Sequence, residues 1–336
     1  MTASWTAESI LNLARGYQEA CILAAAAEFD LFTRLADGGQ TAEELAAAVQ
    51  ADVRATRYVL DALTALELLE KTGQRYRVPE QLAPLVTSGG PGSVLPMLQH
   101  QAACVRRWAQ LSWAMKTGRP VEAETIRGAE ADREAFLEAM NCVSMPLLSG
   151  LIKALQPLRF SHLLDVGGAS GTWTIAFLRA APEATATIFD LPDALPLAKR
   201  RLAAEGLANR IHLVGGDFYE DPLPQGADLA WLGAIIHQNS REQNRALLAK
   251  VYEALAPGGQ VVIRDVIMDP SRTRPVMGAL FAIMMLLATD AGGTYTFEEV
   301  SEDLSATGFI DATLVRRGEF MDSLIRATKP GQLPAD

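Results

Sequence analysis

The sequence is short of the residues that build metal and disulfide centres. Its three cysteines, Cys21, Cys104 and Cys142, are far apart and odd in number. That excludes a disulfide framework or a zinc cluster and fits reduced thiols. The four histidines, His100, His162, His212 and His237, sit in no H-x-x-x-H or C-x-x-C setting, so no metal site is expected. Long apolar runs are missing too. The longest covers residues 276–289, and 14 residues are too few to span a bilayer. The start, Met1-Thr2-Ala3-Ser4-Trp5-Thr6, has no basic-then-apolar leader. These absences predict a cytoplasmic protein with no membrane partner. Positive charge is scarce as well: 30 Lys and Arg face 40 Asp and Glu, for a formal charge of −10. Residues 1–100 hold 7 of the cations against 12 carboxylates, which argues against nucleic acid as a partner. What is there is an ordinary globular composition, 49% hydrophobic and 21% charged over 336 residues. That length suffices for two domains with sizeable cores.

The chain is organised around Ser161-His162-Leu163-Leu164-Asp165-Val166-Gly167-Gly168-Ala169-Ser170-Gly171. It reads as a buried strand running into a glycine-rich turn, with a helix predicted over residues 172–180. Glycines let backbone approach a ligand, and a helix start offers free N–H groups. The spacing is a poor match to the dinucleotide fingerprint, because Ala169 and Thr172 stand where glycines are needed. An acidic residue on a strand followed by Gly-x-Gly/Ala-x-Gly resembles class I S-adenosylmethionine-dependent methyltransferases. A strand–turn–helix corner that binds nothing is the alternative. Two further strand ends weigh against it. Ile188-Phe189-Asp190-Leu191-Pro192 puts a carboxylate where it can accept both ribose hydroxyls. Residues 211–218 end in Gly216-Asp217-Phe218, where Asp217 can accept from an adenine amino group and Phe218 can cover the ring.

The expected domains are 1–100, a helical winged-helix-like module; 101–155, connecting helices covering the active site; and 156–336, the cofactor-binding domain. Residues 10–35 carry a broad apolar stripe of helical period, ended by Gly38-Gly39. Thr41-Ala42-Glu43-Glu44 starts a helix with a capping box. A helix over residues 53–63 and a hairpin over 71–78 complete a winged-helix pattern. DNA binding is one use of it, dimerisation another. The acidic region and a recognition helix with only Arg54 and Arg57 as cations favour dimerisation. Asp30-Leu31-Phe32 followed by a T-x-E-E-L-A helix resembles the N-terminal module of plant and bacterial small-molecule O-methyltransferases, which implies a homodimer. Long helices are expected over 95–115, with His100 on it, and over 134–155, interrupted by Pro146. From residue 160 strands and helices alternate, the mark of an α/β fold with a doubly wound, mostly parallel, seven-stranded sheet. The helix from Ser240 is expected to end at Ala256-Pro257-Gly258-Gly259 with a left-handed glycine cap.

His237, just after the fourth strand, is the candidate general base, because ligands of doubly wound sheets sit outside the carboxyl ends of strands. Asp265, at the end of the fifth strand, is its candidate orienter; pairing of Asp265 with Arg264 is the alternative. In the resembled family a histidine at this point, in a His-Asp-Trp sequence, is the base, usually with a glutamate where Asp265 stands. The resemblance further implies cofactor contacts from Ser144, Asp165, Gly167, Gly168, Gly171, Asp190, Leu191, Gly216, Asp217 and Phe218, with Ser144 on the methionine carboxylate. It implies acceptor contacts from Met140, Gln238, Asn239, Phe281, Met284 and Met285. Four positions depart from it: Gln238-Asn239 for Asp-Trp, Gly233 for a lysine, and Thr294 for a glutamate. The expectation is a methyltransferase using S-adenosyl-L-methionine on a hydroxyl of an aromatic or polyketide-like small molecule. Transfer to carbon or nitrogen by proximity, and a ligand-sensing regulator without catalysis, are the competing readings.

Overall fold

The computed structural model describes residues 5–168 and 170–331. Ala169 of the glycine-rich turn and Met1–Ser4 of the N-terminus lie outside the described residues. The chain divides into two compact units. The first holds the described residues up to Gln110 together with Glu122–Cys142; the second holds Leu111–Val121 and the described residues from Val143 on. The expected connecting segment, 101–155, is therefore shared between the two.

In the first unit the expected helix over 10–35 is three: α1 (Ala7–Arg15), α2 (Tyr17–Glu28) and α3 (Leu31–Ala36). The breaks fall at Gly16 and at Asp30, whose φ of +48° ends the helical path. Next come β1 (Gln40–Thr41), α4 (Ala42–Val49), α5 (Val53–Ala65), β2 (Glu70–Thr72) and β3 (Arg75–Arg77). The capping box at α4 is formed. Thr41 Oγ1 accepts from the Glu44 N–H at 3.2 Å, and Glu44 Oε2 accepts from the Thr41 N–H at 2.9 Å. The hairpin gains a third strand, in the antiparallel order β1–β3–β2. Phe32, Leu35, Leu45, Leu60, Leu63 and Tyr76 fill the core between helices and sheet. After α6 (Ala83–Val86), α7 (Leu95–Trp108) packs on α2. The helix expected over 95–115 breaks here, and α8 (Leu111–Thr117) is separate. Gln110 explains the break, since its side chain donates to the carbonyls of Arg106 at 3.1 Å and Glu122 at 2.7 Å. His100 on α7 is packed. Its ring lies 5.2 Å from Phe136, its Nε2 is 3.5 Å from Cys104 Sγ, and burial pushes its pKa down.

α9 (Ala129–Ser144) leads through a 3₁₀ turn over Met145–Leu147 into α10 (Leu148–Ala154). By length and composition this run, Ala129–Ala154, could cross a membrane, which the 14-residue apolar limit read from the sequence did not anticipate. Its residues Ala135, Ala139 and Leu151 are buried within the fold.

The second unit is built on β4 (His162–Val166), α11 (Thr172–Ala180), β5 (Thr185–Asp190), α12 (Leu195–Ala204), β6 (Ile211–Gly215), β7 (Ala227–Gly233) and α13 (Arg241–Ala254). It continues through β8 (Leu255–Asp265), β9 (Ile267–Met268), α14 (Val276–Ala288), β10 (Tyr295–Thr296), α15 (Phe297–Ala306), β11 (Ile310–Arg316) and β12 (Ser323–Thr328). The large sheet has seven strands in the order β11-β12-β8-β7-β4-β5-β6. The β6–β5–β4–β7–β8 pairs are parallel, and β12 is antiparallel to both neighbours. Side chains alternate across the sheet. Leu164, Val166, Leu232 and Ile263 meet α13 and α15 on one face. Leu163, Trp231 and Val262 meet α10 and α11 on the other. Burial on both faces accounts for the nearly continuous apolar strands. The strand order reverses between β4 and β7, so their carboxyl ends flank the crevice where such sheets bind ligands.

One expectation is corrected. α13 does not end on a glycine cap. It stops at Ala254 and Leu255 enters β8 directly. Gly258, φ +80°, lies inside that strand, where the β7–β8 register shifts between Ala227 and Leu229. The glycines form a bulge, not a helix stop.

Candidate active site

The β4–α11 turn is shaped by its glycines. Gly167 has φ +70°, and a Cβ there would come within 2.5 Å of Ile235 Cδ1. A Cβ on Gly168 would lie 2.7 Å from the Asp165 carboxyl carbon. At Gly168 the turn therefore rests directly on that carboxyl. Asp165 is buried beneath it and accepts from Thr174 Oγ1 at 2.5 Å. Burial pushes its pKa up to about 7; the Thr174 hydrogen bond opposes the rise and the Asp190 charge adds to it. Asp165 thus supports the turn from below.

The next two strand ends carry their carboxylates as expected. Asp190 closes β5, and its Oδ1 accepts from the Leu191 N–H at 2.7 Å while Leu191 itself is exposed. After β6, Gly216 packs so tightly that a Cβ would meet the Phe189 ring at 2.6 Å. Asp217 Oδ1 accepts from the Tyr219 N–H at 2.9 Å, and the Asp217 N–H donates to Asp221 Oδ2 at 2.8 Å. Lys250 Nζ holds this loop by donating to the carbonyls of Phe218, Tyr219 and Asp221 at 2.8–3.0 Å. Phe218 packs partly on the core, its ring 4.6 Å from that of Tyr219.

β7 ends at Gly233, and Ala234, φ +62°, turns the chain with its N–H on the Arg264 carbonyl at 2.7 Å. A 3₁₀ turn over Ile236–Gln238 then presents His237. Its Nδ1 lies 2.9 Å from Asp265 Oδ1 and 3.0 Å from Oδ2. Asp265 is fully buried, and the His237 side chain is 13% exposed. The pairing of Asp265 with Arg264 does not occur: adjacent strand residues point to opposite faces, and Arg264 turns toward the Trp173 ring. Among the described residues, Nε2 of His237 makes no hydrogen bond, so the imidazole keeps one nitrogen for a reacting proton. The Gly293 N–H donates to the His237 carbonyl at 2.8 Å, which sets Thr294, itself buried, one residue from that contact.

The acceptor-side residues divide. Phe281 meets the imidazole edge-to-face, centroids 4.8 Å apart at 82°, and is backed by Phe320 at 5.5 Å and 85°. Met284 is half-buried on α14, whereas Met285 is buried in the fold. Asn239 is 0% exposed and fully engaged. Its Oδ1 accepts from the Tyr219 hydroxyl, its Nδ2 donates to Asn244 Oδ1 at 3.0 Å, and its carbonyl accepts from the Tyr295 hydroxyl. The expected acceptor contact of Asn239 is thereby corrected: it knits the His237 turn to α13. Gln238 remains half-buried beside it. Ser144 is buried at the end of α9, and Met140, half-buried on α9, belongs to the first unit. Sequence reasoning missed Phe320, which no local pattern marks. It also missed Trp173, Trp231 and Arg264, of which the cation inside an apolar strand was the visible signal.

The residues present fit an adenosyl sulfonium. A glycine-rich turn stands at β4, carboxylates stand at β5 and after β6, and the buried Trp173 Nε1 beside the turn has no acceptor among the described residues. This is the architecture of a class I methyltransferase. The O-methyltransferase domain family matches residues 99–310, and the O-methyltransferase dimerisation domain family matches residues 11–83. The chain belongs to this family of S-adenosylmethionine-dependent methyltransferases. It is 35% identical to the tetracenomycin polyketide synthesis 8-O-methyl transferase TcmO of Streptomyces glaucescens, over 90% of this chain and 91% of that one. It is 33% identical to the N,N-dimethyltransferase OxyT of Streptomyces rimosus, over 95% and 94%. Human N-acetylserotonin methyltransferase in complex with SAM superposes with a TM-score of 0.81 at 28% identity, covering 98% of this chain and 99% of that one. Membership in an enzyme family replaces the reading as a non-catalytic regulator.

Proposed function

We propose that the protein methylates a hydroxyl of a small, flat, largely apolar molecule, with His237 as general base and Asp265 as its orienter. S-adenosylmethionine supplies an electrophilic methyl group on a sulfonium whose thioether is a neutral leaving group. Gly167, Gly168 and Gly171 bring backbone close to it, Asp190 accepts from the ribose, Asp217 and Phe218 take the adenine, and Leu191 and Gly216 shape the wall between them. Ser144 takes the aminoacyl end. Nε2 of His237 removes the hydroxyl proton as the oxygen lone pair forms the new C–O bond. A phenol has a pKa near 10, so a base is worth about 10²–10⁴-fold at neutral pH. Asp265 keeps the proton of the neutral imidazole on Nδ1 and stabilises the imidazolium that forms. Phe281, Met284 and Gln238 face the acceptor; an aromatic edge and a flexible thioether suit flat apolar rings.

The observation that carries the reading is the two-oxygen grip of Asp265 on Nδ1, which leaves Nε2 unbonded. The name of TcmO supports oxygen and a polyketide. That of OxyT favours nitrogen as a second reading. An amine attacks through a neutral lone pair and needs the base less. The test is turnover of His237→Ala on a panel of phenols and arylamines. Loss of about 10²–10⁴-fold on a phenol supports the proposal. Turnover within about threefold of the parent removes His237 as base, and turnover on arylamines alone moves the acceptor to nitrogen. We further propose a homodimer through α1 and α2, since the apolar Ile10, Leu11, Leu13 and Tyr17 are all exposed.

A further inference from the structure

Three buried N–H groups of the second unit have no hydrogen-bond acceptor among the described residues: Nε1 of Trp173, Nε1 of Trp231 and Nη2 of Arg264. They come from α11, β7 and β8, but they form one cluster. The Trp173 and Trp231 rings lie 4.9 Å apart at 38°, and the Arg264 guanidinium carbon lies 4.8 Å from the Trp173 centroid. All three sit at the carboxyl edge of the sheet. Arg264 is paired with Gly233, the last residue of β7. Nε1 of Trp231 lies directly under Gly233, where a Cβ would come within 2.4 Å of it. Trp173 is the second residue of α11, which starts from the glycine turn.

The cation is the more unusual member. Arg264 is 2% exposed and forms no ion pair among the described residues. Its Nε donates to the Met321 carbonyl at 2.6 Å. The carboxylates nearest it in charge are committed elsewhere: Asp265 holds His237 and Asp322 holds Arg316. Burial lowers the guanidinium pKa to about 10, which still leaves it charged at neutral pH. A buried cation whose nearest carboxylates, Asp265 and Asp322, act on it only through space, and two buried indole donors without acceptors, each oppose folding. A carboxylate answers all of them, because it brings negative charge and about four lone-pair sites. Of the parts of the proposed cofactor, only the aminoacyl end carries a carboxylate.

We propose that Arg264, Trp173 and Trp231 form the receptor for the carboxylate at the aminoacyl end of S-adenosylmethionine. The inference rests on the cofactor placement proposed above. It adds a charged anchor to the hydroxyl of Ser144. It also explains the indole stack, because the guanidinium, pinned by Met321 and by the Trp173 face, is held in place before the ligand arrives.

The test compares two ligands by calorimetry. S-adenosylhomocysteine carries the carboxylate; 5′-methylthioadenosine has the same nucleoside and thioether without it. Trp173→Phe and Trp231→Phe remove one N–H and keep a ring, and Arg264→Met removes the charge. Each Trp→Phe variant should weaken S-adenosylhomocysteine by about tenfold, the size of one hydrogen bond to a charged group, and Arg264→Met by more. Binding of 5′-methylthioadenosine should stay within about twofold of the parent throughout. Parent-like affinity for both ligands in every variant would mean that solvent satisfies these donors, and the proposal falls. Equal losses for both ligands would mean a structural role, and it falls again. A parent that binds neither ligand sinks the cofactor placement itself, which separates the two failures.

Discussion

Asp265 grips His237 through both carboxylate oxygens, and the same carboxylate is pinned by backbone. Besides Nδ1, it accepts from the Val266 N–H at 2.8 Å and from the His237 N–H at 3.3 Å. His237 and Asp265 are thus tied at main chain and side chain together, so the imidazole cannot swing without breaking a buried contact. Carboxylates that orient a histidine at a metal contribute about 10–100-fold to its function, and an effect of the same order is expected here. Asp265→Asn is expected to lower kcat by about that factor while leaving the affinity for S-adenosylhomocysteine unchanged. Steady-state kinetics with calorimetry on the same preparation checks the split. An unchanged kcat would show that the carboxylate only fastens the strand end.

The buried carboxyl under the glycine turn predicts a pH dependence. The Asp165 pKa is raised by burial to about 7, above its unfolded value near 4. Between those values the folded chain binds a proton that the unfolded chain has released. The favourable contribution of Asp165 is therefore complete below about pH 4 and is lost as pH rises through about 7. Asp165→Asn keeps the shape and cannot ionise. Its Tm relative to the parent should rise between pH 5 and pH 8. A constant difference across that range would remove Asp165 as the titrating group.

The first helix makes a prediction about assembly. α1 has no buried residue, and Leu13 is 71% exposed. Burying one leucine contributes about 1.5–3 kcal/mol, and burying a charge in its place costs more. Leu13→Asp should shift sedimentation velocity toward monomer while leaving the circular dichroism of the fold intact. A parent that already sediments as a monomer would end the dimer proposal.

The candidate site was readable in the sequence, as a set of positions, wherever its residues end strands. Asp190, His237 and Asp265 each follow an apolar run, and an apolar strand fixes where its tip must be. The parallel sheet then brings those tips together without further information. What could not be read depends on contacts between distant segments. Nothing near Gln110 announces that the helix stops there; the side chain's partner at the break is the distant Glu122 carbonyl. The family resemblance places Asn239, beside His237, among the acceptor contacts. Its burial is decided by Tyr219, Asn244 and Tyr295. Residues 173, 231 and 264 become neighbours only once two strands and a helix are stacked.

The closeness of Gly233 to the Trp231 indole has a mutational consequence. The resembled enzymes often carry a lysine at the position of Gly233. A side chain added there would bring its first carbon to 2.4 Å from Nε1 of Trp231, so the indole would have to shift. A side chain at residue 233 therefore requires the Trp231 indole to move or to be replaced by a smaller group. Gly233 and Trp231 are thus coupled by contact, so a lysine placed at 233 alone disturbs the indole beneath it.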